Sequence, residues 1–261
     1  MGFGIISPRG VSMFNFFAKE NSREGNRFTI DGADHNHIKN VLRMRPDDTF
    51  LVSDQGASHL CRLAELDEVC AVAEIVEENY QNTELPVEIT LFQGLPKADK
   101  MEWIIQKTVE LGVSAIVPVE MTNCVVKLEE KKKKAKQTRW QAIAEAAAKQ
   151  SKRAVIPAVF EPTSYKNALQ QAKELDLILV PYENARGMAA TKEAVDAIRA
   201  GMKIGIFIGP EGGFDPKEIA LATELGGKTI SLGSRILRTE TAAIAALSLC
   251  MFQAEMKECA Q

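Results

Sequence analysis

The sequence is poor in the residues that build metal sites and disulfide scaffolds. Its 261 residues include only three histidines and five cysteines, and no two cysteines form a CxxC pair. Structural zinc sites need clustered Cys and His ligands, and small disulfide-bonded domains need many cysteines in a short chain. We therefore expect no metal and no disulfide framework, and we expect a reducing compartment.

Long apolar runs and targeting segments are also missing. No apolar run approaches the roughly 20 residues that a membrane-spanning helix needs. The first segment is mildly apolar, but Pro8, Arg9 and Gly10 interrupt it too early for a signal sequence. We expect a cytoplasmic protein with no membrane partner, and we interpret residues 1–12 as an N-terminal extension.

A strong positive net charge, which would indicate a nucleic-acid-binding protein, is absent as well. The formal net charge is −3, although residues 84–160 hold 13 Lys and Arg against 9 Asp and Glu. This basic middle segment contains the run Lys131–Lys134. Such a run is either the solvated start of a helix or a contact for an anionic partner, and taken alone it favours the first interpretation.

What the sequence does contain divides into two regions. Residues 13–80 hold short β-rich runs separated by tight turns, which is typical of a small barrel or sandwich. Residues 77–86, polar and ending in proline, form the best boundary. After Pro86, apolar strand-like runs alternate with helices. This alternation predicts an α/β domain at 84–261, with a mostly parallel sheet covered on both faces.

Local capping signals mark several predicted helices. Asp34 is expected to cap a helix that runs to about Leu42. Asp99 and Asp215 each precede a glutamate by three positions, as in a capping box, and Pro216 strengthens the second start. The strands predicted for the C-terminal domain are 87–93, 113–119, 155–160, 175–180, 203–208 and 229–232.

Three loops follow predicted strands at the edge where open parallel sheets bind ligands. They are residues 180–184, 208–214 and 232–242. The second loop holds three glycines and one proline, so its backbone can approach a ligand closely. Neither the GxxxxGK[ST] phosphate loop nor the GxGxxG dinucleotide motif is present. The loop is therefore either a ligand cradle of another kind or an ordinary glycine-rich turn.

The third loop places two cations before the last predicted helix. Arg235 and Arg238 lie between apolar residues, and Glu240 follows as the helix begins. Cations at a helix N-terminus oppose the helix dipole and need a partner. That partner is either an external anion, such as an RNA phosphate, or a carboxylate, Glu211 or Glu240.

The second and third loops resemble the C-terminal motifs of the SPOUT methyltransferases. The stretches IGPEGGF (208–214) and LGSRILRTETA (232–242) carry the resemblance, and residues 35–43, 97–113 and 139–153 add matches in the same order. Within that superfamily, the sequence is most similar to the bacterial enzymes that form 3-methyluridine in 16S ribosomal RNA.

The resemblance implies a fold, a cofactor and partners. The expected fold is a PUA-like RNA-binding barrel followed by a SPOUT domain whose C-terminal segment threads a trefoil knot. The knot is expected to bind S-adenosylmethionine, the substrate is expected to be ribosomal RNA of the small subunit, and the chain is expected to form a homodimer. Family members usually have an arginine before paired phenylalanines near the start, where this chain has Asn15, so one expected RNA contact differs.

The resemblance, combined with the chemistry of methyl transfer, suggests site residues. Uracil N3 must lose a proton, which needs a base or a cation that stabilises the resulting oxyanion. Arg238 is the candidate cation. Glu211 and Glu240 are candidates for the base or for orienting Arg238, and Glu211 alternatively ties its loop to backbone amides. The expected cofactor contacts are Val180, Pro181, Ile208, Gly209, Pro210, Glu211, Gly212, Gly213, Leu232, Gly233, Ile236, Leu237, Arg238 and Thr241.

Two other interpretations stay open: a SPOUT enzyme that methylates a ribose 2′-hydroxyl or a guanosine, and an RNA-binding assembly factor with an inactive site. The identity of the methylated nucleoside distinguishes the first alternative from the uridine enzyme, and a test of S-adenosylmethionine binding distinguishes the second.

RNA contacts are expected on basic residues of both domains. The expected RNA-binding residues are His35, His37, Arg43, Arg45, Lys97, Lys100, Arg139 and Arg153.

Overall fold

A computed structural model describes residues 13–185 and 187–258, which form two compact units. The first unit contains the described residues up to Glu84 together with 148–155, and the second contains 85–147 and the described residues from Ile156 onward. The predicted extension, residues 1–12, lies outside the described residues. Within the described ranges, no helix is long and apolar enough to span a membrane, and no group of three or more His, Cys, Asp or Glu side chains could hold a metal ion.

The first unit is built on one six-stranded sheet. Its strands are β1 (Asn15–Phe17), β2 (Arg23–Glu24), β3 (Arg27–Asp31), β4 (Thr49–Asp54), β5 (Ala57–Leu66) and β6 (Cys70–Glu77). Their order is β1-β4-β5-β6-β3-β2, with β1 and β4 parallel and the other pairs antiparallel. Alternation buries one face, as in β3, where Phe28 and Ile30 enter the core between exposed neighbours.

The helical segment that follows β3 differs from the prediction. The helix α1 (Gly32–Asn36) starts two residues before Asp34 and continues into a π-helical turn (His37–Val41). Asp31 occupies the N-cap position, and Gly32 has a φ of +63°, a left-handed conformation that glycine adopts at little cost. The turn from β3 into α1 therefore depends on Gly32 rather than on capping by Asp34.

Residues 148–155 belong to the first unit, whereas the sequence pattern placed them in the C-terminal domain. Arg153 is buried, and its Nε atom lies 3.2 Å from a carboxylate oxygen of Glu84. The side-chain amide of Asn15 donates to the Arg153 carbonyl oxygen at 2.9 Å. The structure contradicts the predicted RNA contact of Arg153, because the guanidinium is neutralised inside the unit. It also explains Asn15 as a buried hydrogen-bond donor.

The second unit is built on one parallel sheet. Its strands are β7 (Glu88–Gly94), β8 (Ala115–Glu120), β9 (Ala158–Val159), β10 (Thr163–Ser164), β11 (Leu177–Pro181), β12 (Lys203–Ile208) and β13 (Lys228–Ile230). The order is β10-β8-β7-β12-β11-β13, with β9 beside β8, and these pairs are all parallel. The predicted parallel sheet is confirmed, except that the strand expected over 155–160 shrinks to two residues.

Helices alternate with these strands. The capping box predicted at Asp215 is confirmed, because its side chain accepts from the Lys217 amide at 2.8 Å while Glu218 accepts from the Asp215 amide. The box predicted at Asp99 is wrong, because its carbonyl oxygen, not its side chain, accepts from the Glu102 amide. The helices are α2 (Lys100–Glu110), α3 (Glu130–Ser151, whose last turn is grouped with the first unit), α4 (Tyr165–Ala172), α5 (Ala189–Asp196), α6 (Pro216–Glu224) and α7 (Thr239–Glu258).

The centre of this parallel sheet is apolar and tightly packed. The rings of Phe92 on β7 and Phe207 on β12 stack with centroids 4.3 Å apart, and Ile206 on β12 is also fully buried. Packed interiors of this kind allow little movement. The loops that leave the carboxyl ends of these strands are therefore held at fixed starting points.

Candidate functional site

A cavity of about 420 Å³ lies at the carboxyl ends of β11, β12 and β13. In the sheet, β11 lies between β12 and β13, so the three loops that follow these strands emerge side by side. They are the three loops that the sequence predicted to bind a ligand. The residues that line the cavity are Lys100, Pro181, Tyr182, Glu183, Ile208, Gly209, Pro210, Glu211, Gly213, Phe214, Ser231, Leu232, Gly233, Ser234, Arg235, Ile236, Leu237, Arg238, Thr239 and Ala242.

The glycine-rich second loop is held in a defined shape. Gly213 has a φ of +68°, and a Cβ at that position would lie 3.3 Å from the Glu183 carboxylate. The side-chain amide of Asn123 donates to the carbonyl oxygens of Gly212 and Gly213, both at 3.2 Å. The loop therefore has a fixed shape at the wall of the cavity.

A buried hydroxyl joins the second and third loops. Thr239, the first residue of α7, donates from Oγ1 to the Gly209 carbonyl oxygen at 2.7 Å. The Nε2 atom of Gln93, near the end of β7, donates to the same hydroxyl at 2.9 Å. Both side chains are buried. The sequence prediction missed these two residues and chose Thr241, which is exposed on α7 and does not line this cavity.

Lys100 lies between two carboxylates at the cavity wall. Its Nζ atom is 3.0 Å from Glu211 and 3.3 Å from Glu240, and Glu211 also accepts from the Lys97 backbone amide at 3.0 Å. The hydrogen bond to Glu211 raises the pKa of Lys100. Burial acts to raise the pKa of Glu211, but the hydrogen bonds from Lys100 and from backbone amides outweigh it and lower that pKa. Lys100 and Glu211 are therefore both charged at neutral pH.

This cluster changes the roles predicted for the two glutamates. A carboxylate with a lowered pKa is a weaker proton acceptor, which argues against Glu211 as the base. Glu211 instead ties its loop to a backbone amide, as in the alternative prediction. Both glutamates pair with Lys100, and within the described residues neither forms an ion pair with Arg238. The described residues therefore show no contact through which either glutamate orients Arg238.

Arg238 lines the cavity, and its side chain points to no ion-pair partner among the residues that the structure describes. The side chain is exposed. The residue precedes the first turn of α7, where a cation opposes the helix dipole. An external anionic group is therefore the partner that this position favours.

Eleven of the fourteen predicted cofactor residues line the cavity. The exceptions are Val180, which is buried within β11, Gly212 and Thr241. Ile236 is 93% exposed, so it contributes an edge rather than a packed wall. Several further lining residues were missed in the sequence prediction. Many of them lie directly after a strand, and that position is the signal that could have identified them. The lining residues absent from the predicted set are Lys100, Tyr182, Glu183, Phe214, Ser231, Ser234, Arg235, Thr239 and Ala242.

The predicted RNA contacts divide into engaged and exposed residues. The structure contradicts the contact predicted for His35, which is buried with its ring Nε2 3.2 Å from the Asp67 carbonyl oxygen. Lys100 is held by the two carboxylates of the cavity, so its predicted RNA contact is not supported either. The exposed residues, whose RNA contacts stay predictions, are His37, Arg43, Arg45, Lys97 and Arg139.

Known families match most of the chain. The RNA methyltransferase domain family matches residues 83–251, and the RNA methyltransferase PUA domain family matches residues 30–74. The first match alone covers more than half of the chain. The chain therefore belongs to the RNA methyltransferase family.

Individual relatives give the similarity more detail. A Bacillus subtilis (strain 168) protein named ribosomal RNA small subunit methyltransferase E is 38% identical over 242 residues, which is 91% of this chain and 94% of the relative. The structure of a Neisseria gonorrhoeae protein of the same name, bound to S-adenosylmethionine, has a TM-score of 0.78 and 34% identity and covers 91% and 96% of the two chains. The structure of a putative methyltransferase from Legionella pneumophila with bound cofactor has a TM-score of 0.78 and 28% identity and covers 93% and 98%.

These similarities bear on the predictions made from the sequence. The predicted family is confirmed by the domain matches and by the B. subtilis relative. The predicted fold class, a SPOUT methyltransferase domain with a small PUA-like domain before it, is confirmed by the PUA match and the N. gonorrhoeae structure.

Proposed function

We propose that this chain is an S-adenosylmethionine-dependent methyltransferase that forms 3-methyluridine in small-subunit ribosomal RNA. The observation that carries the proposal is a cavity formed by three loops, at whose wall Arg238 has no ion-pair partner among the described residues. Relatives that align with about nine-tenths of the chain are named as methyltransferases of this RNA, and two related structures contain the cofactor.

The cavity has the features that the cofactor requires. Gly209 lets the second loop fold closely on itself, since a Cβ there would lie 3.2 Å from the Phe214 ring. Ile208, Leu232 and Leu237 offer apolar surface for an adenine ring. Bound S-adenosylmethionine supplies an already activated methyl group. The protein's task is then to hold the accepting nitrogen in line with it.

Replacing Thr239 by valine should weaken both the fold and the cofactor site. The change leaves one N–H of the Gln93 amide and the Gly209 carbonyl oxygen without their buried partner, so we expect the free energy of unfolding to fall by about 1–3 kcal/mol. The second loop loses its tie to α7, so cofactor affinity should fall as well. Thr239→Ser keeps the hydroxyl and is the control. Chemical denaturation and calorimetric titration would contradict the role of this hydroxyl if the valine and serine variants behaved alike.

Arg238 is the group that acts on the target base. Uracil N3 becomes nucleophilic when its proton leaves, and a guanidinium beside a ring oxygen stabilises the negative charge that develops. Lys100 does not fill this role, because two carboxylates already neutralise it. Glu240, which lies farther from Lys100 than Glu211 does, stays the candidate for accepting the proton.

We also propose that the protein is a homodimer that works in the cytoplasm. The small-subunit RNA that it takes as substrate is found there, and two copies would grip that RNA together. Sedimentation analysis at micromolar concentration tests the dimer, and a monomeric mass would overturn this part.

Transfer of a labelled methyl group tests the activity directly. The protein is incubated with methyl-labelled S-adenosylmethionine and small ribosomal subunits that lack the modification, and the RNA is then digested to nucleosides. Label in 3-methyluridine is the expected result. Label in a ribose-methylated nucleoside or a methylguanosine would still show methyltransferase activity but would overturn the uridine assignment. No label and no cofactor binding would indicate an inactive RNA-binding protein.

A further inference from the structure

The helix α3 presents a basic strip on one side. Lys132, Lys136 and Arg139 are spaced i, i+4 and i+7, so their side chains project from the same flank of the helix. Seven residues of helix rise by about 10 Å, so the strip is a linear array of three cations. The side chains of Lys132 and Arg139 are each 62% exposed.

The strip runs beside a segment that reaches the cofactor cavity. Arg139 Nε lies 2.8 Å from Glu102 on α2, and Lys136 lines a second cavity, of about 240 Å³, together with Ala98 and Asp99. The same segment, residues 96–102, carries Lys100, which lines the first cavity. An extended anionic chain bound along the strip would therefore be led toward the site of methyl transfer.

The two lysines of the strip are held weakly or not at all, whereas Arg139 pairs with Glu102 through both Nε and Nη2. Lys136 forms no ion pair with any residue that the structure describes. Lys132 lies 3.5 Å from Glu129, whose carboxylate is shared with Lys131 at 3.4 Å, and all three side chains are more than half exposed. Exposed pairs of this kind contribute little and are screened by salt. A phosphate can displace the Glu129 carboxylate from Lys132.

The arrangement is also unfavourable for the helix by itself. Lys132 and Lys136 are like charges at i, i+4. Lys132 lies in the first turn of α3, where a cation opposes the helix dipole. A repulsive array beside a reaction site is explained by a polyanionic ligand and not by the stability of the helix.

We propose that the α3 strip, defined as Lys132, Lys136 and Arg139, binds phosphates of the substrate RNA next to the methylated nucleotide. This inference rests on the proposed function, because it takes the ligand to be RNA. Lys132 and Lys136 are not among the eight RNA-binding residues predicted from the sequence, although Lys132 belongs to the run Lys131–Lys134. The strip contacts the sugar-phosphate backbone and gives no base selectivity.

The salt dependence of RNA binding tests the strip against a matched control on the same helix. The test variant is Lys132→Gln with Lys136→Gln, and the control is Lys131→Gln with Lys134→Gln, which removes the same charge from other flanks of α3. Affinity for a fluorescein-labelled fragment of small-subunit RNA is measured by anisotropy over a range of KCl concentrations. Loss of two phosphate contacts should make the slope of log K against log salt shallower by roughly 1.4–1.8 in the test variant.

The outcomes separate this inference from the proposed function. We expect the test variant to bind S-adenosylmethionine normally and to show a raised KM for small subunits with a retained kcat. Equal slopes for the test and control variants would overturn the strip, even if the wild-type protein methylates uridine. If the wild-type protein binds RNA through the strip but labels no uridine, the proposed function is wrong while the RNA contact of the α3 strip is still supported.

Discussion

Replacing Arg238 by alanine is expected to lower the rate of methyl transfer to small subunits by roughly 10²- to 10³-fold, the usual effect of removing one donor that stabilises an oxyanion. The side chain is exposed at the cavity and has no ion-pair partner within the described residues, so its removal leaves no buried charge behind. The fold and the cofactor cradle should therefore survive. Single-turnover rates with saturating cofactor measure the loss, and calorimetry measures cofactor binding.

Arg235→Ala is the comparison for this experiment. Arg235 lies in the same loop, lines the same cavity, and like Arg238 forms no ion pair within the described residues. Removing it deletes an equal charge three residues earlier. A loss as large as that of Arg238→Ala would show that general positive potential, rather than one placed guanidinium, supports the reaction. Loss of cofactor binding in Arg238→Ala would instead make it a cofactor contact.

The three loops could be predicted from the sequence because each follows an apolar strand in an alternating α/β pattern. Parallel sheets bring such loops to one edge whatever the strand order is. The strand order itself could not be predicted. That β11 lies between β12 and β13 depends on long-range packing, and it decides which loops share a cavity.

The hydrogen bonds that join the second and third loops could not be predicted either, because they also depend on long-range packing. Thr239 and Thr241 flank Glu240, and only the start and rotation of α7 decide that Thr239 faces Gly209 while Thr241 is exposed. Gln93 is one polar residue near the end of an apolar strand, and nothing local shows that it meets a hydroxyl 146 positions away.

Residue type was also a poor guide to exposure among the basic residues. His35 and Arg153 belong to the types that contact RNA, yet both are buried with polar partners inside the first unit. Buried charges must be paired, and the partner of Arg153 is Glu84, a residue distant in sequence. Lys100 likewise faces the carboxylate of Glu211 in the second loop and that of Glu240 on α7, which only the fold brings together.

Gly94 is the position where one added methyl group should do most damage to the cofactor site. It ends β7, and a Cβ there would lie 2.7 Å from the Pro210 backbone nitrogen, 2.8 Å from Pro210 Cδ and 3.0 Å from Met121 Sδ. The first two atoms belong to the glycine-rich loop and cannot swing aside as a side-chain end can. The loop itself must move away from Thr239, whose hydroxyl donates to the Gly209 carbonyl oxygen.

We therefore expect Gly94→Ala to lower the free energy of unfolding by about 1–3 kcal/mol, as overpacked interiors do, and to weaken S-adenosylmethionine binding by tenfold or more. Gly205→Ala is the matched control, because β12 neighbours β7 and the added Cβ would meet the movable end of Leu175 at 2.6 Å. That variant should bind the cofactor nearly as the wild-type protein does. Calorimetric titration at a temperature where both variants are folded makes the comparison. Unchanged affinity in Gly94→Ala would show that Pro210 can retreat without disturbing the cradle, and that the close contact with β7 does not set the shape of the loop.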